Sequence, residues 1–262
     1  RVTSAISRSL PVDKRTSNKE LVGISEANTE DNAHAGARHF CEVVRANLKP
    51  ENRRNVFVAG CGLGYEALHI RSALGIPVIG ADITRQWEAN FGANISDFTL
   101  MESSILSLPF SSDSFDAVFY HHVIEHVSDP VASLDELFRV LVPGGLIYVG
   151  TPNRHRMVGY LGSPDASRSE KIRWNVTDYK ARLKGKFRNE LGAHAGFTER
   201  ELSELLGRRF VSIEFLTREY LQFKYADRLP KALMNPICAR PLIEVAAPSV
   251  YALARKPLSG SN

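Results

Sequence analysis

Cysteine is scarce in this chain of 262 residues: there are three, Cys41, Cys61 and Cys238, they lie far apart, and none belongs to a CxxC pair. An odd number of scattered thiols argues against a disulfide framework and against a zinc site built from cysteines. Such cysteine usage is typical of a reducing compartment. The sequence therefore predicts a cytoplasmic protein.

Apolar stretches are short as well. The longest nearly apolar one, residues 140–149, is interrupted by Pro143, Gly144 and Gly145 and is too short to cross a bilayer. The first ten residues contain no apolar segment of the kind that a secretory signal peptide needs. We therefore expect no transmembrane segment.

The overall composition is ordinary, with 44% hydrophobic and 24% charged residues. It excludes a collagen-like repeat, a disordered chain and a small disulfide scaffold. The net charge of +4 is unevenly distributed, because residues 154–188 contain ten Lys or Arg against three Asp or Glu. A local excess of positive charge indicates partners or solubility and says nothing about the fold.

Short apolar runs alternate with segments of helical periodicity along most of the chain. The predicted strands are 55–59, 77–81, 114–120, 145–150, 210–216 and 250–255, and the predicted helices are 32–48, 65–74, 86–94, 130–140 and 198–207. This alternation predicts a parallel, doubly wound α/β sheet with helices on both faces. We expect one domain at 31–262 after a flexible arm at 1–30, with insertions at 153–195 and 227–248.

A glycine turn follows the first predicted strand. Gly60, Gly62 and Gly64 lie where the chain passes from strand to helix, and Asp82 ends the second strand. Ligands of open α/β sheets bind at the carboxyl ends of the strands. A dinucleotide fingerprint would need its third glycine at position 65, which is Tyr65. Close backbone approach beside a carboxylate that can accept ribose hydroxyls instead predicts a site for a nucleoside without phosphates.

Five spaced motifs resemble those of the class I S-adenosylmethionine (SAM)-dependent methyltransferases, over about residues 32–152 and more weakly to 255. The motifs are VFVAGCGLG at 56–64, IGAD at 79–82, SILSLPF at 104–110 with SFD at 114–116, YHHVIEHVSDP at 120–130, and LVPGGLI at 141–147 with TPN at 151–153. The resemblance implies a Rossmann-like, mostly parallel sheet of seven strands. Its last strand, about 249–255, would be antiparallel, with insertions covering the cleft.

The same resemblance implies how the cofactor is held. The glycine loop would pass under the methionine and ribose, and Asp82 would bind the ribose hydroxyls. Ile83, Ser104 and Ile105 would surround the adenine, and the backbone at Tyr120 and His121 would meet the methionine amine. The full set of implied cofactor contacts is Ala59, Gly60, Cys61, Gly62, Gly64, Asp82, Ile83, Ser104, Ile105, Tyr120 and His121.

Histidines cluster after the fourth strand of this pattern, and three interpretations stay open. The cluster contains His121, His122, Glu125 and His126 within six residues. In the first interpretation these side chains only form hydrogen bonds to neighbouring backbone and have no chemical role. Alternatively, a histidine acts as the general base that removes a proton from a hydroxyl acceptor, for which His121, His122 and His155 are the catalytic candidates.

The third interpretation is a metal site. In the family that the motifs resemble, ubiquinone-type O-methyltransferases and small-RNA 3′-end methyltransferases carry an ExxEH sequence here, which binds a divalent ion. This chain has His122 in place of the first glutamate. Together with Glu125, His126 and the downstream His194, His122 gives a candidate ligand set for Zn²⁺ or Fe²⁺. A divalent metal is thus a second possible cofactor beside SAM.

The basic insertion 153–195 lies where this family places acceptor-binding segments. Its Lys and Arg residues suit an anionic or lipid-like acceptor, and Trp174, Tyr179 and Phe187 are candidates for stacking on it; a solvated basic helix is the alternative. Nucleic acid is disfavoured, because no broad basic face or added module is visible. The segment 227–248 suits a cover over the substrate entrance or a dimer contact, so the sequence leaves monomer and homodimer open.

The sequence thus predicts methyl transfer from SAM to a small-molecule acceptor, at oxygen rather than nitrogen or carbon, with S-adenosylhomocysteine as product. RNA-directed or metal-dependent methyl transfer is one alternative. A SAM-binding regulatory module without turnover is another.

Overall fold

The computed structural model describes residues 35–89, 91, 94–95, 97–160, 166–225 and 229–258. Within these ranges the strands form one sheet in the order β3-β4-β2-β1-β5-β6-β8-β7. Their bounds are β1 Val56–Ala59, β2 Val78–Asp82, β3 Asn94–Ile95, β4 Phe98–Glu102, β5 Phe115–His121, β6 Leu141–Pro152, β7 Val211–Phe215 and β8 Ser249–Arg255. The predicted arm 1–30 lies outside the described residues.

The central strands are parallel, and β8 runs antiparallel to both of its neighbours, β6 and β7. The predicted doubly wound sheet with an antiparallel last strand is therefore confirmed. The seven strands that the resemblance implied are present, and the two-residue β3 adds an antiparallel pairing at the β4 edge.

Helices cover both faces of the sheet. They are α1 Ala35–Asn47, α2 Tyr65–Leu74, α3 Pro130–Val140, α4 Arg168–Leu183, α5 Glu199–Leu206, α6 Thr217–Tyr225, α7 Lys231–Ile237 and α8 Ile243–Ala246. Helices α1, α2 and α6 pack on one face, while α3 and α5 pack on the other, each over its own apolar core. No helix within the described ranges is both long enough and apolar enough to span a membrane.

Local sequence explains where several helices begin. Asp129 accepts a hydrogen bond from the Ala132 amide (2.9 Å) at the start of α3, where Pro130 occupies the first turn. Thr198 and Glu201 form a capping box at the start of α5, within the helix predicted over 198–207. Each device satisfies amide groups that have no partner inside the helix.

The predicted helix over 86–94 is wrong. The structure has a short 3₁₀ turn at Gln86–Ala89, and Asn94–Ile95 pairs with β4 instead. Trp87 and Phe91 are buried in the core. Because burial of these two rings and edge pairing fix the chain here, tertiary contacts override the helical periodicity of the segment. Strand β4 itself was absent from the sequence-based assignment.

His39 fastens α1 to the sheet. Its Nδ1 lies 2.9 Å from the Tyr148 hydroxyl on β6, and its ring contacts Tyr220 and Phe223. The side chain is 6% exposed. Burial lowers the pKa of His39 from 6.5 to about 4, against a weaker opposing effect of Glu42. The imidazole is therefore neutral in the folded protein at neutral pH.

This burial predicts an acid-sensitive fold. Because the folded pKa of His39 lies below the unfolded value, the unfolded chain binds the proton first, and stability decreases as the pH falls from 6.5 towards 4. We expect the free energy of unfolding to fall by about 2 kcal/mol from this group between pH 7 and pH 5. Urea titrations at both pH values measure it for the wild type and for His39→Gln. Between pH 7 and pH 5, the free energy of unfolding of His39→Gln should fall by about 2 kcal/mol less than that of the wild type. Equal decreases would contradict the assignment of the acid sensitivity to His39.

Candidate active site

The strand order brings four strand ends to one edge of the sheet. Ala59 at the end of β1 pairs with Ala81 of β2 and with Tyr120 of β5, while His121 pairs with Gly150 of β6. The glycine turn and the histidine cluster, distant in sequence, therefore meet at the carboxyl edge. This is the position at which open α/β sheets bind ligands.

The glycine turn is held tightly against the sheet. The amides of Gly60 and Cys61 both donate to the Ala81 carbonyl, at 2.8 and 3.0 Å. Gly60 has φ of +75°, and a Cβ added there would lie 2.3 Å from the Val123 side chain. At Gly62, with φ of +47°, an added Cβ would meet no protein atom within 4 Å. The backbone at Gly62 is thus the part of the turn open to a ligand.

Asp82 is joined to this turn by a direct hydrogen bond. Its Oδ2 accepts from the Gly62 amide at 2.9 Å, and its Oδ1 accepts from the Thr84 amide at 3.2 Å and from the Thr84 hydroxyl at 3.3 Å. The carboxylate is fixed in position while remaining partly exposed. A fixed, partly exposed carboxylate suits a ligand that carries neighbouring hydroxyl groups.

The residues predicted to surround adenine lie beside Asp82. The Ser103 amide donates to the Asp82 carbonyl at 2.9 Å, which brings Ser104 and Ile105 to this edge. Ile105 is buried, while Ile83 is 70% exposed and presents an apolar side chain next to the carboxylate. Predicted cofactor contacts from three separate motifs therefore share one edge of the sheet.

Cys61 is buried in the same turn. Burial, and to a lesser degree the negative charge of Asp82, raises the pKa of its thiol to about 12. A thiol with such a pKa stays protonated at neutral pH and is a poor nucleophile. The contribution of Cys61 to the site is therefore its backbone.

His121 is packed into the interior of the protein. Its ring stacks between Phe119 and Tyr251, at centroid distances of 5.1 and 5.8 Å. A Cβ added at Gly36 or Gly150 would lie within 2.7 Å of this ring, so both glycines are required by the close approach. Burial, followed by the charge of His122, holds the pKa of His121 well below its ordinary value.

His122 is the more accessible member of the pair. Its backbone adopts a left-handed conformation (φ +54°), and its side chain is about one third exposed. The ring Nδ1 lies 3.4 Å from Oε1 of Glu125. An imidazole whose Nδ1 donates to a carboxylate leaves Nε2 able to accept a proton. His122 thus has the accessibility and the orientation that a general base needs.

Glu125 is nearly completely buried below His122. Its second oxygen, Oε2, accepts from the Thr151 hydroxyl at 3.1 Å. Burial by itself raises the pKa of the Glu125 carboxyl, but the hydrogen bond and charge of His122, a backbone amide and the charge of His126 outweigh it and lower the pKa below its ordinary value. The carboxylate is therefore ionised at neutral pH. Thr151, near the end of β6, belongs to a motif that the sequence analysis named but was not among the predicted site residues.

The predicted metal ligands converge only partly. His126 Nε2 lies 3.9 Å from Glu125 Oε1, and the rings of His126 and His194 are 4.7 Å apart. Burial and the charge of His126 lower the pKa of His194. In the described part of the chain, no three His, Cys, Asp or Glu side chains are arranged so that they could hold a metal ion. The metal set therefore stays a prediction.

His155 lies apart from the His122–Glu125 pair and lines a cavity of about 250 Å³ that neither residue of that pair lines. Its neighbours there include Glu199, Thr217 and Arg240. The His155 amide donates to the Asn153 side chain at 3.0 Å. Its catalytic role also stays a prediction.

Arg156 is a site-supporting residue that the sequence did not reveal. It was grouped with cations for an anionic ligand, yet it is 4% exposed and pairs with Asp178 at 2.9 Å. It also donates to the carbonyls of Asn153, His194 and Ala195. These bonds satisfy the guanidinium internally and place His194 near His126.

Two other basic or aromatic side chains of the insertion serve structure as well. Arg154 pairs with Glu201 and donates to the Gly196 carbonyl. Phe187 is buried, with the Arg182 guanidinium 4.0 Å from its ring centroid. The sequence analysis listed these side chains as candidates for binding the acceptor. In the structure their contacts are with other parts of the protein.

The comparison with protein families agrees with the fold. A family model described as "Methyltransferase domain" matches residues 57–149, from β1 through β6. That segment contains the glycine turn, Asp82 and the His122–Glu125 pair. Over residues 57–149 the chain therefore contains a methyltransferase domain of the class I, Rossmann-like SAM-dependent type, as the motifs predicted, and SAM is the cofactor of such domains.

Particular relatives agree with this class. The chain is 33% identical over 152 residues to a probable SAM-dependent methyltransferase of Mycolicibacterium smegmatis, covering 58% of this chain and 55% of that protein. It is 30% identical over 140 residues to a malonyl-[acyl-carrier protein] O-methyltransferase of Erwinia billingiae, covering 52% and 55%. The chain thus spans about half the length of the curated relatives it matches.

A solved structure shows the same fold. It is that of phosphoethanolamine N-methyltransferase 2 of Haemonchus contortus, in complex with phosphomonomethylethanolamine and S-adenosylhomocysteine. The TM-score is 0.54, with 17% identity over 86% of this chain and 54% of that one. At this identity the likeness concerns the fold alone.

Two glycines provide a matched test of the turn. Gly62 and Gly75 both have positive φ, and an added Cβ at either meets no protein atom within 4 Å. Replacing either by alanine should lower the free energy of unfolding by about 1 kcal/mol, the cost of a left-handed conformation. Only Gly62→Ala should also weaken S-adenosylhomocysteine binding, by about tenfold. Calorimetry on both variants checks this; equal affinities would place the ligand away from the turn.

Proposed function

We propose that this protein transfers the methyl group of SAM to an oxygen atom of a small-molecule acceptor. The observation that carries the proposal is the juxtaposition of two units at one sheet edge. One is the Gly62–Asp82 hydrogen bond, which presents a backbone turn and a carboxylate together. The other is His122, partly exposed and oriented by the buried Glu125.

The residues at this edge fit SAM. The partly exposed Asp82 carboxylate suits two ribose hydroxyls, and the exposed Ile83 side chain suits one face of an adenine ring. The turn at Gly62 leaves room on its outer side. When bound, SAM supplies a methyl group attached to a sulfonium sulfur. The leaving group is the neutral thioether S-adenosylhomocysteine, so its departure needs no acid.

His122 would act on the acceptor. Nε2 of its ring accepts the proton of the acceptor hydroxyl as the oxygen bonds to the methyl carbon. Glu125 holds the ring by Nδ1 and stabilises the positive charge that His122 acquires, and Thr151 keeps Glu125 in place. Alignment of the acceptor with the methyl group supplies much of the remaining rate.

Oxygen is favoured over other acceptor atoms by the base. A hydroxyl loses a proton during methylation, so an oriented imidazole accelerates its reaction. One relative, the malonyl-[acyl-carrier protein] enzyme, is named an O-methyltransferase, while others are named for methylation at carbon or nitrogen. The proposal of oxygen therefore depends on His122 rather than on the relatives.

Product analysis with methyl-labelled SAM tests the proposal. The protein is incubated with separate pools of small hydroxyl, carboxyl and amine compounds and with RNA, and labelled products are identified by mass spectrometry. We expect the labelled methyl group on an oxygen atom of a small molecule. The yield of this product should be the same after treatment with a chelator. Label only in amines or RNA would contradict the acceptor class, and chelator-sensitive turnover would favour a metal-dependent reaction. Binding of SAM with no labelled product from any pool would favour a regulatory module.

A further inference from the structure

Helix α4, at the carboxyl edge, carries apolar side chains on its exposed side. Ile172, Val176, Tyr179 and Leu183 follow one another at intervals of four, three and four residues, which places them along one side of a helix. They are 65%, 46%, 46% and 89% exposed, respectively. The 16 residues of this described helix include no buried one. The stripe is therefore directed away from the body of the protein.

The side of α4 that carries Asn175 and Asp178, next to the stripe, is hydrogen-bonded to the chain that follows β6. Asp178 pairs with the buried Arg156 and accepts from the Tyr160 hydroxyl at 3.2 Å. Asn175 accepts from the Gly159 amide at 2.7 Å. These contacts orient the helix, so that exposure of the stripe is a fixed property of the fold.

Two more exposed apolar residues adjoin the helix. Met157 and Val158 are 59% and 47% exposed, and the Tyr179 hydroxyl donates to the Met157 carbonyl. Exposed apolar residues are unremarkable singly, whereas a contiguous group marks an interaction site. We call this group the α4 patch: Met157, Val158, Ile172, Val176, Tyr179 and Leu183.

The α4 patch is bordered by positive charge. Residues 168–188 contain eight Lys or Arg and two acids. Both acids are engaged within the protein, Glu170 in a capping box with Ser167 and Asp178 with Arg156. At 100° per residue, Arg173, Lys180 and Lys184 fall on one flank of the stripe. All three are exposed.

We propose that the α4 patch docks this protein on an anionic lipid surface. An amphipathic helix that presents apolar residues between basic ones lies in the plane of a membrane, with the apolar side chains in the acyl boundary and the cations at the headgroups. Contact with RNA would use the cations but leave the apolar stripe in water. The combination of exposed apolar area and complementary charge therefore favours lipid. A lipid-docked α4 would hold the carboxyl edge of the sheet beside the membrane.

Vesicle binding tests this with the full chain and without SAM, so its outcome is independent of the proposed methyl transfer. The probes are phosphatidylcholine vesicles with and without phosphatidylglycerol, and cosedimentation gives the bound fraction. We expect binding to the anionic vesicles, weak binding to the neutral ones, and a decrease at raised salt. No binding to anionic vesicles would overturn the proposal.

Matched double variants separate the apolar and the ionic contributions. Ile172→Gln/Val176→Gln should weaken vesicle binding about tenfold or more, whereas Val211→Gln/Leu258→Gln, of equal exposure at the opposite edge, should not. Lys180→Glu/Lys184→Glu should weaken it about tenfold or more, whereas Lys49→Glu/Arg208→Glu should not. Equal effects of variant and control would overturn docking by α4. So would tighter binding to RNA than to vesicles with no effect of the glutamines.

Discussion

Asp82→Ala should lower the affinity for S-adenosylhomocysteine by about 10²- to 10³-fold. The substitution removes the proposed acceptor for two ribose hydroxyls, and hydrogen bonds to a charged group contribute about 1.5–3 kcal/mol each. It also releases the Gly62 amide, which now donates to Asp82 at 2.9 Å, so the turn becomes less ordered. Isothermal titration calorimetry measures the loss directly.

Thr84→Ala is the matched control for this prediction. It removes a hydroxyl that donates to the same carboxylate at 3.3 Å but leaves Asp82 in place. We expect its affinity to stay within about threefold of the wild type, since the contact is long and exposed. A similar loss in both variants would mean that Asp82 acts through loop structure alone. Unchanged affinity in Asp82→Ala would remove the ribose assignment.

His122→Gln should reduce kcat by about 10²-fold or more while S-adenosylhomocysteine affinity changes little. Removal of a positioned general base has this range of effect. Glutamine retains polarity at the position but cannot accept a proton at neutral pH. Steady-state rates over a range of pH, with the acceptor found by product analysis, measure the change and show whether the pH dependence of the wild type is lost.

The competing base candidate His155 receives the same substitution. His155→Gln alters a residue of another cavity, and we expect it to retain activity. A large loss confined to His155→Gln would move the base to that cavity. Glu125→Gln should give a smaller kcat loss than His122→Gln, because it removes the carboxylate that orients the ring and leaves the base itself. A full rate in His122→Gln would contradict the proposed mechanism.

Local signals in the sequence were sufficient for much of the fold. Helix α3 was predicted with its observed bounds, because Asp129 and Pro130 mark its start and its apolar residues have helical spacing. The glycine turn after β1 and Asp82 at the end of β2 lie where the motifs placed them, and the antiparallel last strand is the one that the resemblance implied. The helix predicted over 198–207 is also present, because the Thr198–Glu201 capping box that begins it is formed by residues close in sequence.

Features that depend on distant contacts could not be read in this way. The segment after Gln86 has helical periodicity, but pairing of Asn94–Ile95 with β4 gives it another structure. The burial of Arg156 depends on Asp178 and on carbonyl groups about 40 residues away. His121 looked equivalent to His122, yet His121 ends β5 with its ring in the aromatic core, whereas His122 follows the strand in a left-handed conformation and is about one third exposed.

A crystal structure with S-adenosylhomocysteine bound is the most direct measurement. We predict both ribose hydroxyls within hydrogen-bond distance of the Asp82 carboxylate, the adenine against Ile83, and the sulfur directed towards His122. The nucleoside bound at another edge of the sheet, or against the turn with its ribose turned away from Asp82, would contradict the assignment of this site.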